Sequence, residues 1–369
     1  MEENKDFLTS QIITYIGNKR SLIGYIEKEV IEISQQLGGR RLVCADLFSG
    51  SGVVARMLKQ YSKKLMVNDL ENYSQVLNDC YLTNVSKFDS KKYDSLKVQI
   101  EEACAKKKIR GIITKNYAPK NDKDIQPGER VFYTHENALL IDTYRKLIDE
   151  LVQVDMQKFF LAPLITEASV HVNTSGVFKG FYKDRETGIG CFGGKGKNAL
   201  TRILGRVVLE KPVLSNFNSE VQLFQENAVE LAESKKLKGL DIAYLDPPYN
   251  QHPYGSNYFM LNLILKNRLD VEISKVSGIT QGWNRSDFNK RGRALDEMEK
   301  IICALDSKFI IISYNSEGFI NFDDMSQMLK KYGRLKTVEI PYNTFRGSRN
   351  LQNRAIHVKE YLFVLTKEN

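Results

Sequence analysis

The chain is poor in the residues that build disulfide and metal centres: five cysteines and four histidines are scattered over 369 positions. Cys44, Cys80, Cys104, Cys191 and Cys303 form no Cys-x-x-Cys pair, and His135, His171, His252 and His357 show no ligand spacing. An odd, dispersed set of thiols argues against a disulfide framework or a zinc module and for a reducing compartment. Buried structural thiols are the expectation at all five positions. Long hydrophobic runs are missing too. The most compact, Phe309-Ile310-Ile311-Ile312, is strand-sized, far short of the roughly 20 apolar residues that span a bilayer. The opening Met1-Glu2-Glu3-Asn4-Lys5-Asp6 lacks the basic-then-apolar order of a secretion signal. A cytoplasmic protein with no membrane partner is therefore expected, with a monomer favoured. Neither an internal repeat nor a low-complexity tract is evident.

What is present is ordinary for a globular chain: 42% hydrophobic and 27% charged residues. The length suits two domains, or one core with a large insertion. The net charge of +9 suits a polyanionic partner without proving one.

Leu22, Ile23, Ile26, Val30, Ile33 and Leu37 recur near a 3.6-residue period, which predicts a helix over 20–37 ended by Gly38-Gly39. A short apolar strand, 41–48, then runs into Gly50-Ser51-Gly52, followed by a helix through Val53, Val54, Met57 and Leu58. A second strand, 64–69, ends in Asp69, 19 residues beyond Gly50. Strand, glycine turn, helix and strand open a doubly wound α/β sheet. Gly50-x-Gly52-x-x-Ala55 lets a backbone approach a nucleoside-bearing cofactor closely, and Asp69 can accept ribose hydroxyls. An unliganded strand-to-helix turn is the alternative for this segment, and a dehydrogenase is not excluded by it.

The alternation breaks over 86–219, where helical stretches, basic loops and a glycine-rich segment carry no βαβ repeat. Strand logic resumes at 221–224, 241–246, 308–314 and 361–365. The expected architecture is one Rossmann-like α/β sheet with helices on both faces, split in sequence. Residues 1–85 and 220–369 form the catalytic domain, and 86–219 are an inserted, mainly helical and loop region for target recognition.

Asp246-Pro247-Pro248-Tyr249 follows an apolar strand, so the acid falls at the carboxyl edge of the sheet, where such folds bind ligands. Two prolines fix the backbone and remove two donors, freeing nearby carbonyls to accept from a substrate. Tyr249 offers a stacking surface for a planar base.

These blocks together resemble the Dam-like class of DNA adenine-N6 methyltransferases, and most nearly the halves of the type IIS FokI modification methylase. Tyr15-Ile16-Gly17-Asn18-Lys19-Arg20 resembles the N-terminal cofactor motif, 46–52 the glycine loop, Asn68-Asp69 the ribose acid and 246–259 the catalytic loop. Segments 168–176 and 344–350 extend the likeness over nearly the whole chain. The resemblance implies S-adenosyl-L-methionine as cofactor, held by Tyr15, Lys19, Asp46, Phe48, Gly50, Ser51, Gly52, Asp69 and Asp246. Asn227 stands at a cofactor-adenine position that is often Asp, which leaves its role open; Tyr15 replaces an aromatic that can be Trp. The implied reaction is methyl transfer to N6 of an adenine flipped out of duplex DNA, by an enzyme partnered with a restriction endonuclease. Asp246, Pro247, Pro248 and Tyr249 would be catalytic. The adenine amine is a poor nucleophile because its lone pair is delocalised. Acceptors on its two N–H bonds localise that pair, and Tyr249 stacks the flipped base.

Three basic clusters are candidates for the duplex. The first is Lys179, Lys183, Arg185, Lys195 and Lys197, interleaved with Phe178, Phe181, Tyr182 and Phe192 in a stretch of seven glycines over 175–198. Flexible backbone, cations and aromatics suit a hairpin that grips phosphate and wedges a base step, with Phe181 and Tyr182 as the wedge. The second is Arg285, Lys290, Arg291 and Arg293 beside Trp283; the third is Arg346, Arg349, Arg354 and Lys359. Solvated faces are the alternative for each, and Lys106-Lys107-Lys108 reads as a solvated helix end. An RNA base-amine methyltransferase and a non-catalytic DNA-binding module are the competing functions.

Overall fold

Among the described residues seven strands form, most of them from short apolar runs. They are β1 (Leu42–Asp46), β2 (Ser62–Asn68), β3 (Glu220–Phe224), β4 (Leu240–Leu245), β5 (Ser307–Asn315), β6 (Gly333–Asn343) and β7 (His357–Lys367). In the computed structural model, which describes residues 2–194, 196–197, 199–343 and 357–368, they form one seven-stranded sheet ordered β3-β2-β1-β4-β5-β7-β6. Strands β3, β2, β1, β4 and β5 pair in parallel, and β7 runs antiparallel to β5 and β6. Every residue of β4 is buried, as a parallel sheet covered on both faces requires.

One face packs Cys44, Ile242 and Ile311 against Ile26, Val30, Val54 and Leu58 from helices Ile23–Gln36 and Val53–Tyr61. The other packs Ala45, Ala243 and Ile310 against helices Ala228–Glu233, Ala294–Ala304 and Phe322–Lys330. The glycines predicted to stop the first helix do so in the left-handed region, φ +79° and +70°. The Gly39 N–H satisfies the Ser34 carbonyl at 2.8 Å.

Between 86 and 219 no strand is formed among the described residues; Lys183 and Gly190 share one isolated bridge. Helices Ser90–Lys106, His135–Leu151 and Val154–Val170 share a core with helices Asn72–Tyr81 and Phe259–Lys266, which flank the sheet. Tyr93 stacks on Phe160 at 4.5 Å within it. Each such aromatic contributes about 1.5–3 kcal/mol on burial, so these helices are joined to the sheet's flanking helices by a continuous apolar contact.

Two sequence expectations are corrected. Only Cys44, Cys80 and Cys104 are buried; Cys191 is half-buried and Cys303 exposed, because the exposed end of helix Ala294–Ala304 carries Cys303. Strand β6 was not anticipated: it is an edge strand whose outward residues, such as Arg334 and Lys336, are charged and exposed, which hides the apolar run that marks its buried neighbours.

The strand order reverses between β1 and β4. Their carboxyl ends, at Asp46 and Asp246, therefore face a crevice with no covering connection, the position where open α/β sheets receive ligands.

Candidate active site

The crevice is a partly open cleft at the place where such sheets form cofactor sites. Tyr15, Lys19, Asp46, Phe48, Gly50, Ser51, Asp69, Asn227 and Asp246 all line it, as does Pro248. Gly52 stands behind the wall at the N-cap of helix Val53–Tyr61, with φ +78°. A methyl group there would lie 2.6 Å from Asn78 Oδ1, and one on Gly50 would lie 2.8 Å from the Tyr15 ring. Both positions demand glycine, for conformation and for space.

Asp69 is fixed from both sides. Its Oδ2 accepts from the Gly50 N–H at 2.7 Å and its Oδ1 from the Glu71 N–H at 2.8 Å, with the Ser74 side chain and the Leu70 N–H as further donors. Burial pushes its pKa up, against these donors. In the loop after β3 Asn227 caps helix Ala228–Glu233, its Oδ1 accepting from Val229 N at 2.9 Å. The amide nitrogen remains as a donor, which an aspartate would lack.

Buried Lys19 pairs with the half-buried Asp246 at 2.9 Å. Burial disfavours the charge on Lys19, but Asp246, with Glu360 behind it, outweighs burial and holds its pKa above the usual value. Burial pushes the Asp246 carboxyl up, to about 6, against the attraction of Lys19. Lys19 occupies Oδ1, so Oδ2 of Asp246 is available to a substrate donor. The Pro247 carbonyl receives no hydrogen bond among the described residues. Asp46 Oδ2 and Ser49 Oγ are buried in the cleft wall with no partner among the described residues, and burial raises the Asp46 pKa well above its usual value.

Aromatic rings frame the exit from the cleft. Tyr15 lies near-parallel to Tyr254 and Tyr258, with ring centres 5.0 and 4.8 Å away, and Tyr249 meets Tyr314 edge-on at 6.4 Å. Several lining residues escaped the sequence reading. Glu71, whose carboxyl burial raises to about 7, is held by Asn262 Nδ2 at 2.7 Å. Asn284 and Asn289 enter from beyond the catalytic loop, and Asn289 Nδ2 holds the Asn250 carbonyl at 2.8 Å. The Ser286-x-x-Asn289 capping box was the available signal.

The candidate DNA residues divide. Lys183, Arg185 and Lys197 are exposed, and Lys179 lies 3.4 Å from His252 Nδ1 of the catalytic loop. Phe181 turns inward, edge-on to Phe132 at 5.2 Å with Lys183 over its ring. It packs half-buried at the edge of the core, and Tyr182 is half-buried against Gly194. Arg285 is exposed over the Trp283 ring, whereas Lys290 and Arg293 are engaged by Asp287. Lys195, Arg346, Arg349 and Arg354 lie outside the described residues.

The family model of D12 class N6 adenine-specific DNA methyltransferases matches residues 15–328. Type II methyltransferase M.NlaIII of Neisseria lactamica is 29% identical over 363 residues, covering 96% of this chain and 99% of that protein. Type II methyltransferase M.CviAII of Paramecium bursaria Chlorella virus 1 is 30% identical, covering 95% and 97%. Type II methyltransferase M.FokI of Planomicrobium okeanokoites is 26% identical, covering 96% of this chain but 52% of its own length. The family match takes in the Tyr15 segment, the glycine loop, Asp69 and the Asp246 loop at one cleft, and the chain belongs to the D12 class N6 adenine-specific DNA methyltransferases.

Proposed function

We propose that the chain is the modification enzyme of a restriction–modification system, methylating N6 of one adenine at a specific site in duplex DNA with S-adenosyl-L-methionine. The observation that carries the reading is the Lys19–Asp246 pair, which joins the cofactor cleft to the catalytic loop. The residues present fit this cofactor. The unpartnered oxygens of Asp46 and Ser49 suit its ammonium group, Asp69 suits the ribose, and the Asn227 amide suits the adenine edge. S-adenosyl-L-methionine, when bound, supplies an electrophilic methyl group.

The chain's own residues do the rest. Asp246 Oδ2 and the Pro247 carbonyl accept the two N–H bonds of the adenine amine, restoring its lone pair as a nucleophile aimed into the cleft. Lys19 keeps Asp246 ionised and in place. Tyr249 stacks on the base, and the stacked rings of Tyr15, Tyr254 and Tyr258 limit water. Because the amine is hidden in a duplex, the base must leave the stack to reach Asp246. Residues 86–219 supply target recognition in this reading, and a cognate endonuclease is the functional partner. Type II names on the full-length relatives support that assignment.

The test is transfer of a labelled methyl group to duplex DNA and to structured RNA by the purified chain. Detection of N6-methyladenine in DNA, lost in Asp246→Ala, is the expected result. Methylation of RNA in preference to DNA would overturn the reading.

A further inference from the structure

Two hairpins of identical construction stand beside the catalytic loop, and only one of them lies in the basic segment noted in the sequence. In the first, Lys183 bridges Gly190; in the second, Ile273 bridges Thr280. Between the bridges run Asp184-Arg-Glu-Thr-Gly188-Ile189 and Ser274-Lys-Val-Ser-Gly278-Ile279. Each turn closes with the same bonds. Asp184 N donates to Ile189 O at 2.8 Å and Gly188 N to Asp184 O at 3.1 Å. Ser274 N donates to Ile279 O and Gly278 N to Ser274 O, both at 2.9 Å. One step further out, Cys191 N reaches Tyr182 O at 3.0 Å and Gln281 N reaches Glu272 O at 3.1 Å. Gly188 and Gly278 share φ values of +69° and +71°. Arg185 and Lys275 therefore occupy the same place on two equal turns; both are exposed, and neither has an ion pair among the described residues.

The two hairpins are set by one segment. Arg130 donates to the carbonyls of Ser274 and Lys275 at 3.2 and 3.1 Å, and its side chain fills the space that a methyl on Gly278 would need. The next residue, Val131, occupies the space that a methyl on Gly190 would need. Both hairpins are also rooted on the catalytic loop. Phe178 N donates to Asn257 O at 2.8 Å before the first. After the second, the Trp283 Cβ lies 3.1 Å from where a Gly255 methyl would stand. A base delivered to Asp246 must come from DNA lying over that loop, within reach of both.

Resting on the DNA reading above, we propose that the hairpin Ile273–Thr280 is a second duplex-contacting element. Paired with the hairpin Lys183–Gly190, it holds the DNA on the other side of the flipped adenine. Lys275 meets backbone phosphate. Val276, 66% exposed at the turn with no apolar partner role in the core, meets a groove surface such as a thymine methyl or an opened base step. Two-stranded ribbons enter DNA grooves in this manner. The remaining charges of the second hairpin do not oppose the contact: Asp270 is engaged by Lys266 and Arg268, leaving Glu272 at its base and Lys275 at its tip.

The experiment compares wild type with Lys275→Gln/Val276→Ser and, in parallel, Arg185→Gln. Equilibrium binding to duplex DNA is measured at several salt concentrations, S-adenosyl-L-methionine affinity by calorimetry, and turnover on duplex and single-stranded DNA. The expected result for the double variant is weaker duplex binding with a log–log salt slope smaller by about 0.9. Cofactor affinity should be unchanged, and turnover should fall more on duplex than on single strands. A wild-type slope and affinity in the double variant overturns the proposal, whatever Arg185→Gln does. Failure of the DNA reading is told apart because it shows in wild type, as an absence of N6-methyladenine in DNA.

Discussion

The cleft and the hairpin surface beside it use the same residue types in opposite ways. In the cleft, Lys19 is buried on Asp246 at 2.9 Å, and Asp69 is clamped by the Gly50 and Glu71 amides. A charge taken out of water must be paired, and the pairing fixes where its free oxygen points. On the hairpins, Lys183, Arg185 and Lys275 stand in solvent, where a cation finds phosphate without a preset geometry. In the proposed function the cleft directs and the hairpins attract, so substitutions should damage the two regions in different currencies: rate in one, salt-dependent affinity in the other.

Asp246 carries the largest expected effect. Asp246→Asn should lower turnover by a factor of about 100 or more while duplex affinity stays near wild type. Asp246→Ala should do the same; both variants leave the Lys19 ammonium without its counter-charge, a loss that costs about 3–5 kcal/mol when a buried pair is broken. Asparagine still offers Lys19 an acceptor oxygen and so should perturb folding less than alanine. Turnover of Asp246→Asn within a few-fold of wild type would remove Asp246 from catalysis and collapse the contrast.

A pH profile sharpens the same point. The acceptor is the carboxylate, present above its pKa and lost as pH falls through it. With Asp246 raised by burial to about 6, kcat/KM should fall about tenfold per unit below that value. Lys19→Met removes the charge that lowers this pKa, so its acid limb should move to higher pH. A limb that stays in place would show that Lys19 and Asp246 do not act as a pair.

The cleft was legible because its residues sit in compact motifs at strand ends, where sequence order and spatial order coincide. Gly50, Asp69 and Asp246 each close a strand-to-loop junction that apolar runs announce. Glu71 and Asn284 were not legible, and the capping box marks Asn289 as part of a helix start but not its place at the cleft, which long-range packing sets. The hairpin Ile273–Thr280 was missed for a related reason: its turn matches that of 183–190 in backbone bonds, while the side chains agree only at glycine and isoleucine. Phe181, an aromatic in a glycine-rich loop, is turned by the fold toward Phe132 and left half-buried, a direction the sequence did not carry. Periodicity cannot report the direction of a side chain in an irregular loop.

A middle-sized effect is expected at Asp69. Hydrogen bonds to a charged acceptor contribute about 1.5–3 kcal/mol, so Asp69→Ala should weaken S-adenosyl-L-methionine binding by at least roughly tenfold. Loss of the Gly50 and Glu71 clamps adds to this by loosening the glycine loop. The sequence methylated should not change, because no hairpin residue depends on Asp69. Unaltered cofactor affinity by calorimetric titration would take Asp69 out of the site.

The smallest effects per residue belong to the first hairpin. Gln in place of Lys179, Lys183, Arg185 or Lys197, one at a time, should each lower the log–log salt slope for duplex binding by about 0.9 if the cation neutralises one phosphate. Cofactor affinity should not move. Lys179 is the informative member, since it is half-buried and lies 3.4 Å from His252 on the catalytic loop. Burial already lowers its pKa, so its charge has less solvent to lose on meeting DNA than the exposed Lys183 or Arg185. Lys179→Gln should therefore affect turnover on duplex as well as the slope, whereas Lys183→Gln and Arg185→Gln should affect binding alone. If all four variants keep the wild-type slope, attraction resides elsewhere on the surface, with Arg285 over Trp283 the next cation to replace. If Lys183→Gln slows methylation at saturating DNA, the division between a cleft that directs and hairpins that attract is the idea that fails.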